Sequence, residues 1–176
     1  MFCQGTIMNL KRSLKLFALF ILLTTTFNVS ALTLTSTAFQ NNGFIPSQYT
    51  CNGKNILPPL SWYDIPAATK SFAITLTDPD APGGIWTHWV IYNIPANVNS
   101  IAEGESSFPA GSVVLNNSWK HTKYDGPCPP SGTHHYWFII YALDDSLNLT
   151  NGNAFEKNIQ DHLLAKASLV GRYSKR

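Results

Sequence analysis

The stretch that most restricts what this chain can become is Tyr136-Trp-Phe-Ile-Ile-Tyr-Ala-Leu143, a run rich in aromatic and β-branched residues with no polar alternation. A strand that is apolar on both faces needs cover on both faces, so this one belongs in the middle of a sheet with material packed on each side. It is fed by Tyr124-Asp-Gly-Pro-Cys-Pro-Pro-Ser-Gly-Thr-His-His135. Proline fixes φ and removes a backbone donor, while glycine allows close approach to the main chain. The pair of features reads as a stiff rim opening into a buried strand.

The rest of the chain supplies partners for that strand. Trp89 to Ile94 is likewise apolar on both faces. Ser71 to Thr77 alternates, with Phe72, Ile74 and Leu76 on one face and Ala73, Thr75 and Thr77 on the other. Leu32 to Phe39 alternates as a half-buried strand and breaks at Asn41-Asn42-Gly43. Phe44 to Asn55 suits a loop, Val113 to Leu115 a short strand, and Pro58 to Trp62 an edge segment, because proline does not sit in a central strand. One helix is predicted over about 154–167, capped by Asn153 with Glu156 three residues on, and striped by Phe155, Ile159, Leu163 and Ala167. Ser168 to Tyr173 then reads as a last short strand. The fold class is mainly β, in one domain.

The N-terminus carries an address. Lys11, Arg12 and Lys15 precede the apolar Leu16 to Leu23, and Val29-Ser30-Ala31 offers small residues for cleavage. This is the pattern of a secretory signal peptide over 1–31, with Met8 as the natural start and 32–176 as the mature domain. The apolar core is about eight residues where a membrane span needs roughly 20. The expected location is periplasmic or secreted, with no membrane-spanning segment in the mature chain. Losing the leader takes Lys+Arg from 12 to nine against ten acidic residues, so the basicity of the whole chain disappears. Without a basic stripe, nucleic acid has no electrostatic hold.

The mature domain keeps Cys51 and Cys128. Export makes a disulfide between them reasonable, and closing a loop of that length would restrain the unfolded chain by roughly 4–5 kcal/mol on the entropic account. Two buried thiols are the alternative.

Candidate chemistry gathers at strand ends. Asp78-Pro-Asp80-Ala-Pro82 follows one strand, Trp86 and His88 open another, and Pro130, His134 and Tyr136 flank the rim. Histidines offer N–H donors, an aspartate orients a ring by accepting from its other nitrogen, and a phenol adds a donor, which suits an anion. The closeness of the two aspartates would raise the pKa of one of them. Metal binding through two histidines and a carboxylate is the weaker reading, lacking a helical His pair or a Cys-x-x-Cys. Hydrolysis through Ser131 and His134 lacks a Gly-x-Ser-x-Gly elbow. No enzyme activity and no cofactor are expected. His121 and His162 read as structural or exposed.

The motifs Asp78-Pro-Asp-Ala-Pro82, Trp86-Thr-His-Trp-Val-Ile-Tyr-Asn-Ile-Pro95 and Gly126-Pro-Cys-Pro-Pro-Ser-Gly-Thr-His134, in this order, resemble the phosphatidylethanolamine-binding protein family, in its bacterial Raf-kinase-inhibitor-like branch. The resemblance runs from about Leu32 to Tyr173. It implies an antiparallel β-sandwich with a few peripheral helices. It also implies a small pocket for phosphate-like or carboxylate anions or a phospholipid headgroup, lined by Asp78, Asp80, Trp86, His88, Pro130, His134 and Tyr136. A non-enzymatic binding protein follows, as monomer or homodimer, with a regulatory protein partner in prospect. The alternative role in the family is inhibition of a protease or other enzyme by protein contact. Relatives usually have Arg after the rim His, whereas this chain has His135, on the opposite face of the strand from His134.

Overall fold

The computed structural model describes residues 31–149 and 155–175. The expected signal peptide as far as residue 30, the expected helix cap Asn153 and the start of the predicted helix at 154 lie outside the described residues. In chain order the elements are β1 (Thr33–Thr35), β2 (Gly43–Phe44), a 3-10 turn at Ser47–Tyr49, β3 (Leu60–Tyr63), β4 (Ser71–Asp78) and β5 (Trp86–Pro95). There follow β6 (Ser100–Ile101), β7 (Val113–Val114), β8 (Thr133–Leu143), α1 (Phe155–His162) and β9 (Leu163–Ser174).

Two sheets form. A three-stranded one runs β1-β3-β6 and a six-stranded one runs β2-β9-β8-β4-β5-β7, antiparallel throughout except for β2, which lies parallel to β9. The mainly β architecture expected from the pattern is the architecture found. The doubly apolar β8 sits inside the larger sheet, between β4 and β9. Its alternate side chains Tyr136, Phe138 and Ile140 are fully buried and meet Phe72, Ile74, Leu76 and Ile91 of the neighbouring strands. The small sheet closes over that face with Leu34, Leu60, Trp62 and Ile101, and the Trp62 and Phe72 rings meet edge-on at 5.5 Å. On the outer face, Ile159 of α1 packs with Ala73, Tyr92, Leu143 and Leu147 in a smaller cluster. Burying an aromatic or branched aliphatic side chain contributes about 1.5–3 kcal/mol, so these two layers carry the fold.

Two expectations are corrected. The helix ends at His162, and Leu163, Ala165 and Ala167 belong to β9. Leu163 and Ala167 fit a helical spacing of four, but Leu163, Ala165, Ala167 and Leu169 fit a strand spacing of two equally well. The edge of the 11-residue β8 decides, since it offers β9 a partner at nearly every position. At the junction, Asp144 N–H donates to the His162 carbonyl (3.0 Å) and His162 Nδ1 to Asp144 Oδ1 (2.9 Å). The segment after Pro59 is not an edge. β3 lies between β1 and β6, and both prolines stop short of its hydrogen-bonded ladder.

Candidate functional site

The central trio β5-β4-β8 brings the scattered motifs to one end of the large sheet. Asp78 closes β4 opposite Trp86, while Thr77 pairs with Trp137 on the other side, so the start of β8 arrives beside Asp78. The pairing of β4 with β5 slips here: Leu76 faces Trp89 and Thr77 faces Thr87, which leaves His88 as an extra residue on β5. Such a bulge re-aims a side chain. Trp89 enters the core while His88 turns to line a cavity. The bulged carbonyl of His88 is satisfied by Asp125 N–H (3.3 Å) and Asn117 Nδ2 (3.2 Å).

The cavity, about 200 Å³, is lined by Asp78, Trp86, His88, Trp119, Cys128 and Pro130, with the turn Ala81-Pro82-Gly83 at its edge. A roomier cavity of about 590 Å³ lies among Phe44, Pro46, Thr133 and Tyr173, but no histidine or carboxylate lines it. Asp78, Trp86, His88 and Pro130, singled out in the sequence, line the smaller one.

The polar groups there are closely assigned. Asp78, 3% exposed, accepts from Asp80 N–H at Oδ1 (2.9 Å) and from His134 Nδ1 at Oδ2 (2.7 Å). His88, 2% exposed, donates from Nδ1 to the carbonyls of Asp125 (2.8 Å) and Gly126 (3.1 Å). Burial pushes His88 below its ordinary pKa, against the opposing pull of those carbonyls and of Asp78. The His88 ring stands edge-on to Trp119 at 4.9 Å and to Tyr136 at 5.3 Å, and Trp86 meets Trp119 edge-on at 5.3 Å.

Tyr136 Oη and Trp86 Nε1 are buried without a hydrogen bond. The Asp78 carboxylate and the Cys128 backbone amide are near enough to Tyr136 to bear on its ionisation, though not in bonding geometry. Burial above all, with Asp78 second, holds that phenol far above its usual pKa. Trp62 and Trp89 also bury unpartnered indole N–H groups, so an indole alone marks nothing. What marks this place is an indole and an imidazole lining one small space, with an unpartnered phenol packed behind the imidazole.

Of the seven residues expected to form the pocket, Asp78, Trp86, His88 and Pro130 line it, while Tyr136 and His134 stand behind His88 and Asp78. Asp80 is placed differently. Its carboxylate accepts from both the N–H and Nδ1 of His135, each at 2.8 Å, on the outer face. Those bonds hold the Asp80 carboxyl below its ordinary pKa, the reverse of what a proton-sharing aspartate would show. His135 thus ties the Asp80 turn to β8 from outside, and His134 ties Asp78 from inside.

Three contributors escaped the motifs. Trp119 walls the cavity, the Asp125 carbonyl receives His88, and the buried Asn117 amide joins His88, Lys123 and Asp125. A lone tryptophan in the polar run Asn116 to His121 was a signal that could have been used; a buried asparagine gives none. Asp125 is itself opposed by burial, but His121, Asn117 and Lys123 together hold its carboxyl below the ordinary range.

The rim is fastened from behind. Cys51 and Cys128 form a disulfide with Cα atoms 5.4 Å apart. Cys51 N–H donates to the Pro127 carbonyl (3.1 Å), Gly126 N–H to Asn55 Oδ1 (2.7 Å) and Tyr124 Oη–H to the Tyr49 carbonyl (2.7 Å). A Cβ at Gly126 would run into the Tyr49 carbonyl, so only glycine allows the two loops to meet this closely. Among the described residues no group of three or more His, Cys, Asp or Glu is arranged to hold a metal, and no helix is long and apolar enough to cross a membrane.

Comparison with known proteins bears on this arrangement. Residues 35–174 match the family described as phosphatidylethanolamine-binding protein. A UPF0098 protein of Methanothermobacter thermautotrophicus is 46% identical over 142 residues, covering 77% of this chain and 94% of its own. One from Chlamydia pneumoniae is 39% identical over 151 residues, covering 81% and 98%. Among solved structures, a putative phosphatidylethanolamine-binding protein homolog from Chlamydia trachomatis superposes with a TM-score of 0.77 at 37% identity, covering 83% of this chain and 99% of its own. YbcL of E. coli, described as a new member of the mammalian family, gives 0.78 at 29% identity, covering 84% and 100%. The chain belongs to the phosphatidylethanolamine-binding protein family.

Proposed function

We propose that this protein is an exported, non-enzymatic binding protein whose cavity at Asp78, Trp86 and His88 takes a small phosphate-like or carboxylate anion. One observation carries the reading: Trp86, whose Nε1–H is buried and unpartnered, lines the same small space as His88, with the unpartnered Tyr136 Oη–H behind the His88 ring. Buried donors without partners are costly, and a cavity that offers them to an acceptor recovers that cost when filled. Asp78 and His134 hold each other and fix the floor. The aromatic walls of Trp86 and Trp119 lower the local dielectric, which strengthens each polar contact made inside. The space accommodates a headgroup and leaves any acyl chain outside.

The address argument from the leader supports export, and the disulfide agrees with an oxidising compartment. N-terminal sequencing of the exported protein should begin at Leu32. For binding, phosphoethanolamine at 100 times its Kd should raise stability by about 2.7 kcal/mol, seen as a higher melting temperature. No stabilisation by phosphate, phosphoethanolamine or a small carboxylate would defeat the reading.

A second role has one feature in its favour. Ile85, 72% exposed and next in sequence to the lining residue Trp86, and the lining residue Trp119, 38% exposed, offer apolar surface that an inhibitor could press against a target enzyme.

A further inference from the structure

What the cavity accepts is decided by which hydrogens and lone pairs around it are already engaged. His88 Nδ1 faces two carbonyl oxygens, at 2.8 and 3.1 Å. Carbonyls only accept, so Nδ1 carries the ring hydrogen, and the neutral ring has a bare lone pair at Nε2. Asp78 contributes acceptors alone, and both its oxygens are occupied, by Asp80 N–H and by His134 Nδ1–H. Of the lining residues, Trp86 carries a buried free donor at Nε1–H, and Tyr136 Oη–H is unpartnered behind the His88 ring. The site therefore offers an indole donor and an imidazole acceptor, beside a carboxylate. A fully ionised ligand consisting only of acceptors would set an oxygen lone pair against that of Nε2 and a negative charge near Asp78.

Resting on the anion-site reading above, we infer that the cavity takes a terminal phosphate, inorganic phosphate or a phosphomonoester, together with one proton placed between a phosphate oxygen and His88 Nε2. The proton count is the same however that bond is written. A monoanion that donates P–O–H to Nε2 and a dianion that accepts from a protonated ring each hold one proton more than dianion plus neutral histidine. A phosphodiester group has no acidic hydrogen, so its phosphate oxygens can meet Nε2 only if the ring itself takes up a proton.

The surroundings of His88 make that second route unfavourable. From β4 Asp78 faces the ring, and from the segment after β7 so does Asp125, whose carboxylate is already held by Asn117, His121 and Lys123. From β8 come the neutral Tyr136 and, beyond Asp78, His134. The two carboxylates favour a charged ring. Burial opposes it and outweighs them, so the free protein holds His88 neutral. The site thus selects a ligand that brings its own hydrogen. Terminal phosphates bind, and diester headgroups of intact phospholipids are disfavoured.

The test is titration calorimetry on the whole oxidised chain, run at pH 8 in two buffers of unequal protonation enthalpy. Phosphoethanolamine and inorganic phosphate serve as terminal-phosphate probes, and glycerophosphoethanolamine as the diester. The expected result is uptake of about one proton per phosphomonoester. Affinity should fall about tenfold per pH unit above the second phosphate pKa near 6, and at pH 6.5 the diester should bind at least about tenfold more weakly. Imidazole nitrogen NMR of the free protein at pH 7 should show His88 as the Nδ1–H tautomer. Binding of phosphoethanolamine without proton uptake, a diester bound as tightly as the monoester, or an Nε2–H tautomer would overturn this inference and leave the anion site standing. No binding of any probe at any pH would overturn the anion site, and the inference with it.

Discussion

Replacing Tyr136 by Phe should raise stability and leave affinity nearly unchanged. Tyr136 is 0% exposed and its hydroxyl has no hydrogen-bond partner, so the folded protein loses that group's hydration without compensation. Such a loss costs about 1–3 kcal/mol on the scale of protein substitutions. Phenylalanine keeps the ring, its packing in the core and its edge-on contact with His88. Urea unfolding of Tyr136→Phe should therefore show a stability gain of up to roughly 1–3 kcal/mol, or about 3–9 °C in melting temperature for a domain of this size. Tyr136 stands behind His88 and does not line the cavity, so phosphoethanolamine affinity should stay within about threefold. The reasoning is refuted by the converse result, a less stable variant with weakened affinity. That outcome would mean that the hydroxyl serves Asp78 in the free protein.

Further expectations follow from the same geometry. His134→Ala leaves the buried Asp78 carboxylate short of a partner and should cost about 1–3 kcal/mol along with affinity, whereas His135→Ala, on the outer face, should keep affinity within about threefold. Calorimetric titration of the pair checks this, and a larger loss for His135→Ala would put the site on the wrong face of β8. Because burial depresses the pKa of His88 in the folded state, the unfolded chain binds its proton first. Stability should then be full above the unfolded value of 6.5 and decline as pH falls through the lower folded value; equal urea midpoints at pH 7.5 and 5 would contradict it. Reducing Cys51–Cys128, which closes a separation of 77 residues, should cost at most roughly 4–5 kcal/mol and weaken ligand binding by loosening the rim. Unchanged denaturation curves with and without reductant would count against it.

The strands that build the site were readable because their signals are local. β4 alternates, β5 and β8 are apolar on both faces, and each kept its place to within a few residues. The end of α1 was not readable, because Leu163 and Ala167 satisfy two periods at once and only the neighbouring β8 edge chooses between them. The orientation of His88 was hidden for a similar reason. The bulge that turns it into the cavity is a property of how β5 registers on β4, and no spacing within β5 announces it. Asp78 and Asp80 are two residues apart in the same Asp-Pro-Asp turn, yet one faces inward to His134 and the other outward to His135. The alternation of His134 and His135 along β8 predicted that division of the histidines. It could also have divided the aspartates, had their partners been considered together.

The central claim is that a small anion sits against Trp86, and the indole N–H resonances of the five tryptophans report on it most directly. Phosphoethanolamine added at pH 6.5 should move the Trp86 signal through a saturable shift, with a smaller movement at Trp119, whose ring meets it at 5.3 Å. Trp62, buried in the core between the sheets, and Trp137, on the outer face, should stay where they are. A saturable shift at Trp137 with none at Trp86, or no shift at any indole up to millimolar ligand, would contradict the account.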